Sequence, residues 1–262
     1  MNVKDKITVI TGAASGIGRA TVIELARHGS TLAMIDIKED DLIQTLNDVR
    51  KYAPQSTIEV CDISDEMLIK KLVTQIQEKY GRIDILVNNA AIMITKLFSN
   101  LTDEEYNRHM SVNYYGAVYL TKAVIPIMET QGRGVIINVA SVGGKLVVPG
   151  TTAYGASKAA LYAFSEALYY EVKDKGIHVG VIVPGGVKTG IFNPENSKLG
   201  GYYQSQCTTK PSRIASQIRK AIEKERWETV APPSARLLLL AHGLVSGMFK
   251  ASLLKRLRPY IE

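Results

Sequence analysis

The run Ile7-Thr8-Val9-Ile10, followed by Thr11-Gly12-Ala13-Ala14-Ser15-Gly16-Ile17-Gly18, constrains the fold of this chain more than any other segment. A short β-branched run reads as a buried strand, and Val22, Leu25 and Ala26 then recur at helical spacing. Between strand and helix the glycines have separate tasks. Gly12 permits a tight turn, Gly16 lets the backbone approach a pyrophosphate, and Gly18 lets the helix lie close against the strand. Ser15 and Ile17 complete the turn, and the new helix offers unpaired N–H groups and a positive dipole end to phosphates.

The same alternation runs on. Apolar strand-like runs at Leu32–Ile35, Ile58–Cys61, Ile83–Val87, Val135–Val139 and His178–Val183 are separated by helical stretches. Strands alternating with helices predict an α/β fold with a doubly wound, mostly parallel sheet in three α/β/α layers. Ligands then bind beyond the C-terminal strand ends. Residues 1–262 read as a single dinucleotide-binding domain, with no internal repeat and no low-complexity linker. The second strand ends at Asp36, where a carboxylate accepts ribose hydroxyls and repels a 2′-phosphate. This argues for NAD over NADP, with Arg19 and Lys38 as nearby cations able to soften the choice.

A second constellation is Ser141 with Tyr154-Gly155-Ala156-Ser157-Lys158. On a helix, residues four apart share a face. A phenol with a pKa of about 10 is a poor base at pH 7. An ammonium about 4 Å away favours the phenolate by roughly 4 kcal/mol at an effective dielectric near 20, or about three pKa units. Tyr154 so placed exchanges a proton with an alcohol or a carbonyl. The pair Tyr169/Lys173 repeats the spacing about 22 Å further along the same helix. No serine-ending strand precedes that pair, and it reads as ordinary helix surface or interface.

Together these residues resemble the short-chain dehydrogenase/reductase family, over roughly residues 3–190. The resemblance rests on the cradle at 11–18, Asp62-Ile63 after the third strand and Asn88-Asn89-Ala90-Ala91 after the fourth. It continues through Asn113, Ser141, Tyr154/Lys158 and Pro184-Gly185-Gly186-Val187-Lys188-Thr189. Ala91 stands where the family often has glycine. The resemblance implies a Rossmann fold and an oxidoreductase that interconverts an alcohol and a carbonyl by hydride transfer. Tyr154 is then the general acid/base, Lys158 lowers its pKa and holds the nicotinamide ribose, and Ser141 hydrogen-bonds the substrate oxygen. Asn113 carries a relay water, or else holds a backbone kink. Asp62 and Ile63 meet the adenine, Asn89 and Ala90 line the cofactor site, and Pro184, Gly185, Val187 and Thr189 border the carboxamide. The family also implies a homodimer or homotetramer.

Cys61 and Cys207 make no disulfide framework, and no signal-like N-terminus is evident, so a cytoplasmic setting is expected. Cys61 reads as core, and Cys207 as a loop residue open to solvent. The four histidines show no metal-ligand spacing, so no metal is expected. The net charge of +7 is local: residues 210–262 carry 11 Lys/Arg against 4 Asp/Glu, while residues 1–209 carry 21 of each. No interleaved aromatics or reading motif accompany that excess, which argues against nucleic acid.

Two segments depart from plainer relatives. Residues 190–212 read as a substrate lid, with Gly200-Gly201 as hinge and Ile191, Phe192, Leu199, Tyr202 and Tyr203 as apolar contacts. Val142 to Val148, including Gly143, forms the facing wall. The apolar walls suit a bulky substrate such as a steroid, a retinoid or another lipid. Residues 232–262 follow a last strand at Glu228–Ala231. They read as one long helix from Ala235 to about Leu257, with Leu237, Leu240, Leu244, Met248, Ala251 and Leu254 at 3–4 spacing. Two readings stand: a helix packed on the core or a sister subunit, or an interfacial helix over 235–258 at the membrane surface. Two other activities also fit: an NADPH-dependent 3-oxoacyl (carrier protein) reductase docking through the basic tail, and a non-catalytic dinucleotide sensor.

Overall fold

The computed structural model describes residues 1–192 and 197–261. Seven strands form one parallel sheet: β1 (Ile7–Thr11), β2 (Thr31–Asp36), β3 (Thr57–Val60), β4 (Ile85–Asn88), β5 (Gly134–Val139), β6 (Ile177–Pro184) and β7 (Glu228–Ala231). Their order is β3-β2-β1-β4-β5-β6-β7. The order reverses between β1 and β4, and at that point a doubly wound sheet opens a crevice at its C-terminal edge. The sheet is wholly parallel, and the strands lie within a residue or two of the apolar runs in the sequence. The fourth begins two residues after Ile83. Just before it, the Asp84 backbone still bonds the Ile7 carbonyl and the Val135 N–H, each at 3.0 Å, while its carboxylate accepts the Ile7 N–H at 3.0 Å and pairs with Arg82.

Alternate strand residues feed two cores, as the two-residue period of a strand requires. Ile10, Leu32, Met34, Val87 and Ile137 face α1 (Gly16–Arg27), α2 (Glu39–Val49) and α8 (Pro211–Lys224), through Val22, Leu25, Leu42, Ile214 and Ile218. Val9, Ala33, Ile35, Leu86 and Ile136 face α3 (Glu66–Tyr80), α5 (Gly116–Gln131) and α6 (Thr152–Val172), through Ile69, Val73, Leu120, Val124 and Leu168. Each fully buried Leu, Ile or Val contributes roughly 1.5–3 kcal/mol. Side-chain caps fix the helix entries: Asp65 takes the Met67 and Leu68 N–H groups of α3, and Thr102 with Glu105 closes a capping box on α4 (Asp103–Met110).

The C-terminal segment departs from the expectation of one helix. It forms α9 (Pro233–Leu244) and α10 (Ser246–Ile261), turned 108° from each other. Val245 leaves the helical region at φ −131, ψ 44, between Gly243 and Gly247, which weaken helix on either side. The lid also differs. Lys198–Gln206 is a helix, α7, started by Ser197, whose hydroxyl accepts the Gly200 N–H at 2.9 Å. Gly200 and Gly201 therefore lie inside a helix and do not form a loop hinge. Residues 193–196 of the expected lid lie outside the described residues.

Candidate active site

The glycine turn leaves β1 with Gly12 at φ +66 and Gly16 at φ +53, a region that side chains disfavour. A Cβ on Gly18 would stand 1.8 Å from the Gly12 carbonyl oxygen, so only glycine lets α1 start this close to the turn. Ser15 occupies the N-cap of α1 without a side-chain cap, and no acid occupies the first turn. The amides and dipole at that end stay open to an anion. Thr11 stitches the turn to the end of β4: its hydroxyl oxygen accepts both the Asn89 and the Ala90 N–H, each at 3.0 Å. Asn89 in turn donates to the Thr11 carbonyl at 2.9 Å.

Asp36 ends β2 beside this turn. One carboxylate oxygen accepts the Ala14 N–H at 3.0 Å, and the other accepts Ile37 N–H at 2.8 Å and Lys38 N–H at 3.2 Å. The carboxylate is thus held in place at the rim of the crevice. Arg19 is drawn off to Asp48 at 2.7 Å and does not line the crevice, whereas Lys38 does. Of the two cations expected near the ribose, only Lys38 is on hand.

The second constellation assembles where β5 and β6 end. Ser141 follows β5, and its hydroxyl accepts the Gly143 N–H at 3.0 Å. Tyr154 and Lys158 lie in the first turns of α6, both buried. The Lys158 ammonium donates to the Val139 carbonyl at 2.8 Å. Burial pushes Lys158 down to about 7, and burial pushes the Tyr154 phenol up, with the Ser141 hydroxyl opposing. This corrects the expectation of a phenol lowered by its lysine. That argument used a half-solvated dielectric and an ammonium about 4 Å away, whereas here the ammonium is held on the Val139 carbonyl and burial is the first cause of both shifts.

Asn113 does not reach the crevice. It sits in a π-turn, Ser111–Tyr115, between α4 and α5. Its amide donates to the Ile92 carbonyl and to the Ser157 hydroxyl, both at 3.0 Å, and its oxygen accepts the Ile92 N–H at 2.8 Å. The side chain ties the segment after β4 to α6, which is the backbone-holding alternative of the sequence reading.

The crevice has a volume of about 850 Å³. It is lined at one end by Gly12, Ser15, Gly16, Ile17, Asp36, Asp62 and Ile63, and in the middle by Asn89, Ala90, Pro184, Gly185, Val187 and Thr189. At the far end stand Ser141, Gly143, Tyr154, Lys158 and Phe192. Every catalytic and cofactor residue proposed from the sequence thus lines it, except Gly18 and Asn113, which hold its walls from behind. Of the expected lid contacts Ile191, Phe192 and Tyr203 line it and Leu199 and Tyr202 do not, and of the facing wall Val142, Gly143, Leu146 and Val148 do. Thr189 closes over the turn, its Cγ2 lying 3.1 Å from where a Gly16 Cβ would be. The glycine turn, the uncapped helix and the fixed Asp36 carboxylate suit a dinucleotide: phosphates at α1, adenosine ribose at Asp36 and nicotinamide towards Tyr154.

Sequence reasoning missed several lining residues. Ile92, Met93, Arg108, Val112 and Leu238 line the crevice, Leu238 reaching it from α9. Leu238 falls off the 3–4 stripe that marked that helix, so periodicity gave no signal. Cys207 is also a correction: it lines the crevice buried, because α7 folds over it, and its thiol is pushed up by burial. Among the described residues no group of three His, Cys, Asp or Glu is placed to hold a metal.

Comparison with known proteins places this geometry. Residues 6–200 match the short chain dehydrogenase family. The chain is 35% identical over 189 residues to a 3-oxoacyl-[acyl-carrier-protein] reductase of Thermotoga maritima, covering 72% of this chain and 77% of that protein. It is 35% identical over 223 residues to the 3-ketodihydrosphingosine reductase of Bos taurus, covering 81% and 67% respectively. A short-chain dehydrogenase/reductase from Burkholderia phymatum, solved in complex with NAD, superposes with a TM-score of 0.87 at 23% identity, over 93% of this chain and 94% of that one.

Proposed function

Because the chain belongs to the short-chain dehydrogenase/reductase family, as an NAD(P)-dependent oxidoreductase acting on CH–OH groups, we propose that it uses NAD(H) to interconvert a secondary alcohol and a ketone on a bulky apolar substrate. One observation carries the reading: Ser141, Tyr154 and Lys158 converge at the apolar end of the crevice whose other end holds Asp36. The bound nicotinamide supplies or accepts the hydride. Tyr154 supplies the proton. Burial keeps its phenol protonated at neutral pH, so it stands ready to donate to a carbonyl oxygen as the carbinol forms. Ser141 donates a second hydrogen bond to that oxygen and steadies its developing charge. Lys158, held on the Val139 carbonyl, would hold the nicotinamide ribose of a bound cofactor and help to replace the proton that Tyr154 gives up.

The substrate end is walled by Met93, Leu146, Val148, Phe192, Tyr203 and Leu238. Such a surface favours an acyl chain or fused rings over a small acid. The two relatives named above bear on this, since both are ketoreductases by name and one acts on a sphingoid base. Lys38 at the crevice favours one second reading, an NADPH-dependent reductase of carrier-bound 3-oxoacyl chains.

The test is fluorescence titration with NADH and NADPH, followed by turnover on long-chain ketones. The Asp36 carboxylate predicts at least about tenfold tighter binding of NADH. Tighter NADPH binding would show that Lys38 overrides Asp36, and failure on every apolar ketone would remove the proposed substrate class.

A further inference from the structure

The two C-terminal helices have an inner face that the protein uses and an outer face that it leaves bare. On the inner side, Ala235 and Leu239 of α9 pack with Val181 and Val183 of β6. Leu253 and Leu257 of α10 pack with Leu199 and Tyr203 of α7. Arg256 reaches Gln206 at 3.3 Å and lies 5.7 Å from the Tyr202 ring centroid. The helices are therefore docked. Yet Leu237, Leu240, Leu244 and Met248 are 69%, 58%, 85% and 71% exposed, and Leu254 is 57% exposed. Single exposed leucines are ordinary. Here Leu237, Leu240 and Leu244 share one face of α9, and Met248 follows directly after the elbow, which makes a patch.

Charge selects the occupant. From Thr229 to Ile261 the chain has no Asp or Glu, while Arg236, Lys250, Lys255, Arg256 and Arg258 fall within it. Arg236, Lys250 and Lys255 are exposed beside the leucines. A second copy docked through the same face would bring one surface that carries these cations and no acid against its equal, with no opposite charge to pair them. Apolar side chains flanked by cations match the acyl boundary and head groups of an anionic membrane. Among the described residues no single helix is long and apolar enough to cross a bilayer, and the 108° bend lays α9 and α10 out as an elbow.

We propose that the outer face of α9 and α10 docks on an anionic lipid bilayer. Leu237, Leu240, Leu244 and Met248 enter the acyl boundary, and Arg236, Lys250 and Lys255 meet the head groups. The docked face adjoins the substrate end of the crevice, because Leu238 of α9 lines it. It also adjoins α7, whose Tyr203 donates to the Pro149 carbonyl at 2.8 Å across the mouth. Delivery of a ketone directly from the bilayer rests on the substrate reading above; membrane binding does not.

The experiment is co-sedimentation of the full chain with vesicles of phosphatidylcholine alone or mixed with phosphatidylglycerol. Binding to the mixed vesicles should be at least about tenfold stronger, and high salt should release the protein. Leu244→Glu with Met248→Glu should lower that binding by about tenfold or more and leave NADH affinity unchanged. Lys250→Gln with Lys255→Gln, on exposed side chains, should weaken it to a lesser degree. Equal and weak sedimentation with both vesicle types would overturn the proposal, as would binding indifferent to both variant pairs. Light scattering that shows the leucine variants splitting an oligomer would assign the face to a sister subunit instead. Because the readout is binding, the proposal fails or stands apart from any result on turnover.

Discussion

Helix α6 carries the same tyrosine–lysine spacing at both ends, and the two pairs meet different fates. Tyr154 and Lys158 are 9% and 2% exposed, with the ammonium on a strand carbonyl and the phenol beside Ser141. Tyr169 instead packs its ring against Trp227, with centroids 5.3 Å apart, and against His178 at 6.1 Å. Lys173 falls just past the end of α6 in a short 3₁₀ turn, exposed, with its ammonium 5.9 Å from the Tyr169 ring centroid. Helical spacing places two side chains together; what packs over them decides the chemistry. At the first pair the loop after β5 presses on the helix so closely that a Cβ on Gly144 would lie 2.8 Å from the Lys158 carbonyl carbon. At the second, the helix lays Tyr169 over His178 of β6 and over Trp227, just before β7.

The largest difference between the pairs should appear in turnover. Tyr154→Phe removes the proton donor and should lower turnover about 10³-fold with NADH affinity retained. Tyr169→Phe in the same steady-state assay should stay within about twofold of wild type. Equal losses would mean that burial and the Ser141 contact do not distinguish the pairs.

A smaller effect follows from Lys158. The folded protein holds its proton only up to about 7, while the unfolded chain holds it to about 10.4. Between those values the unfolded state binds more protons, so this group makes stability rise with pH; below 7 its full cost is present. Urea unfolding of wild type against Lys158→Met should show the wild-type deficit shrinking from pH 7 to 10, by up to about 4 kcal/mol. A pH-independent difference between the two would show that the ammonium is not desolvated.

What could be read in the sequence was whatever depends on near neighbours. The β-branched runs gave the strands, since a strand buried on both faces needs no distant partner to look apolar. The turn at 11–18 was legible because Gly12, Gly16 and Gly18 are required by local backbone and by contacts a few residues away. The sequence was silent where distant segments meet. Cys207 looked exposed because nothing nearby shows α7 folding over it. The phenol shift came out with the wrong sign because the depth of the Tyr154 pocket is set by β5, α7 and the Ser141 loop together. The break at Val245 lay under an unbroken apolar stripe, with Gly243 and Gly247 as the one local hint. Thr11 stood in plain view before the first glycine, yet its two bonds go to residues 78 and 79 positions away.

The smallest expected effect belongs to the second pair alone. Lys173→Ala removes an exposed ammonium from above a ring and from the C-terminal end of a helix, contacts that water and salt screen. A surface substitution of this kind should change unfolding free energy by no more than about 0.5 kcal/mol and leave turnover at wild-type level. The ring of Tyr169 stays wedged against Trp227 and His178 in that variant, so the packing of α6 on the sheet is not disturbed. A large loss of turnover in Lys173→Ala would therefore have no packing cause. It would mean that the far end of α6 communicates with Tyr154 along the helix, and that the contrast in burial is not what separates the two pairs.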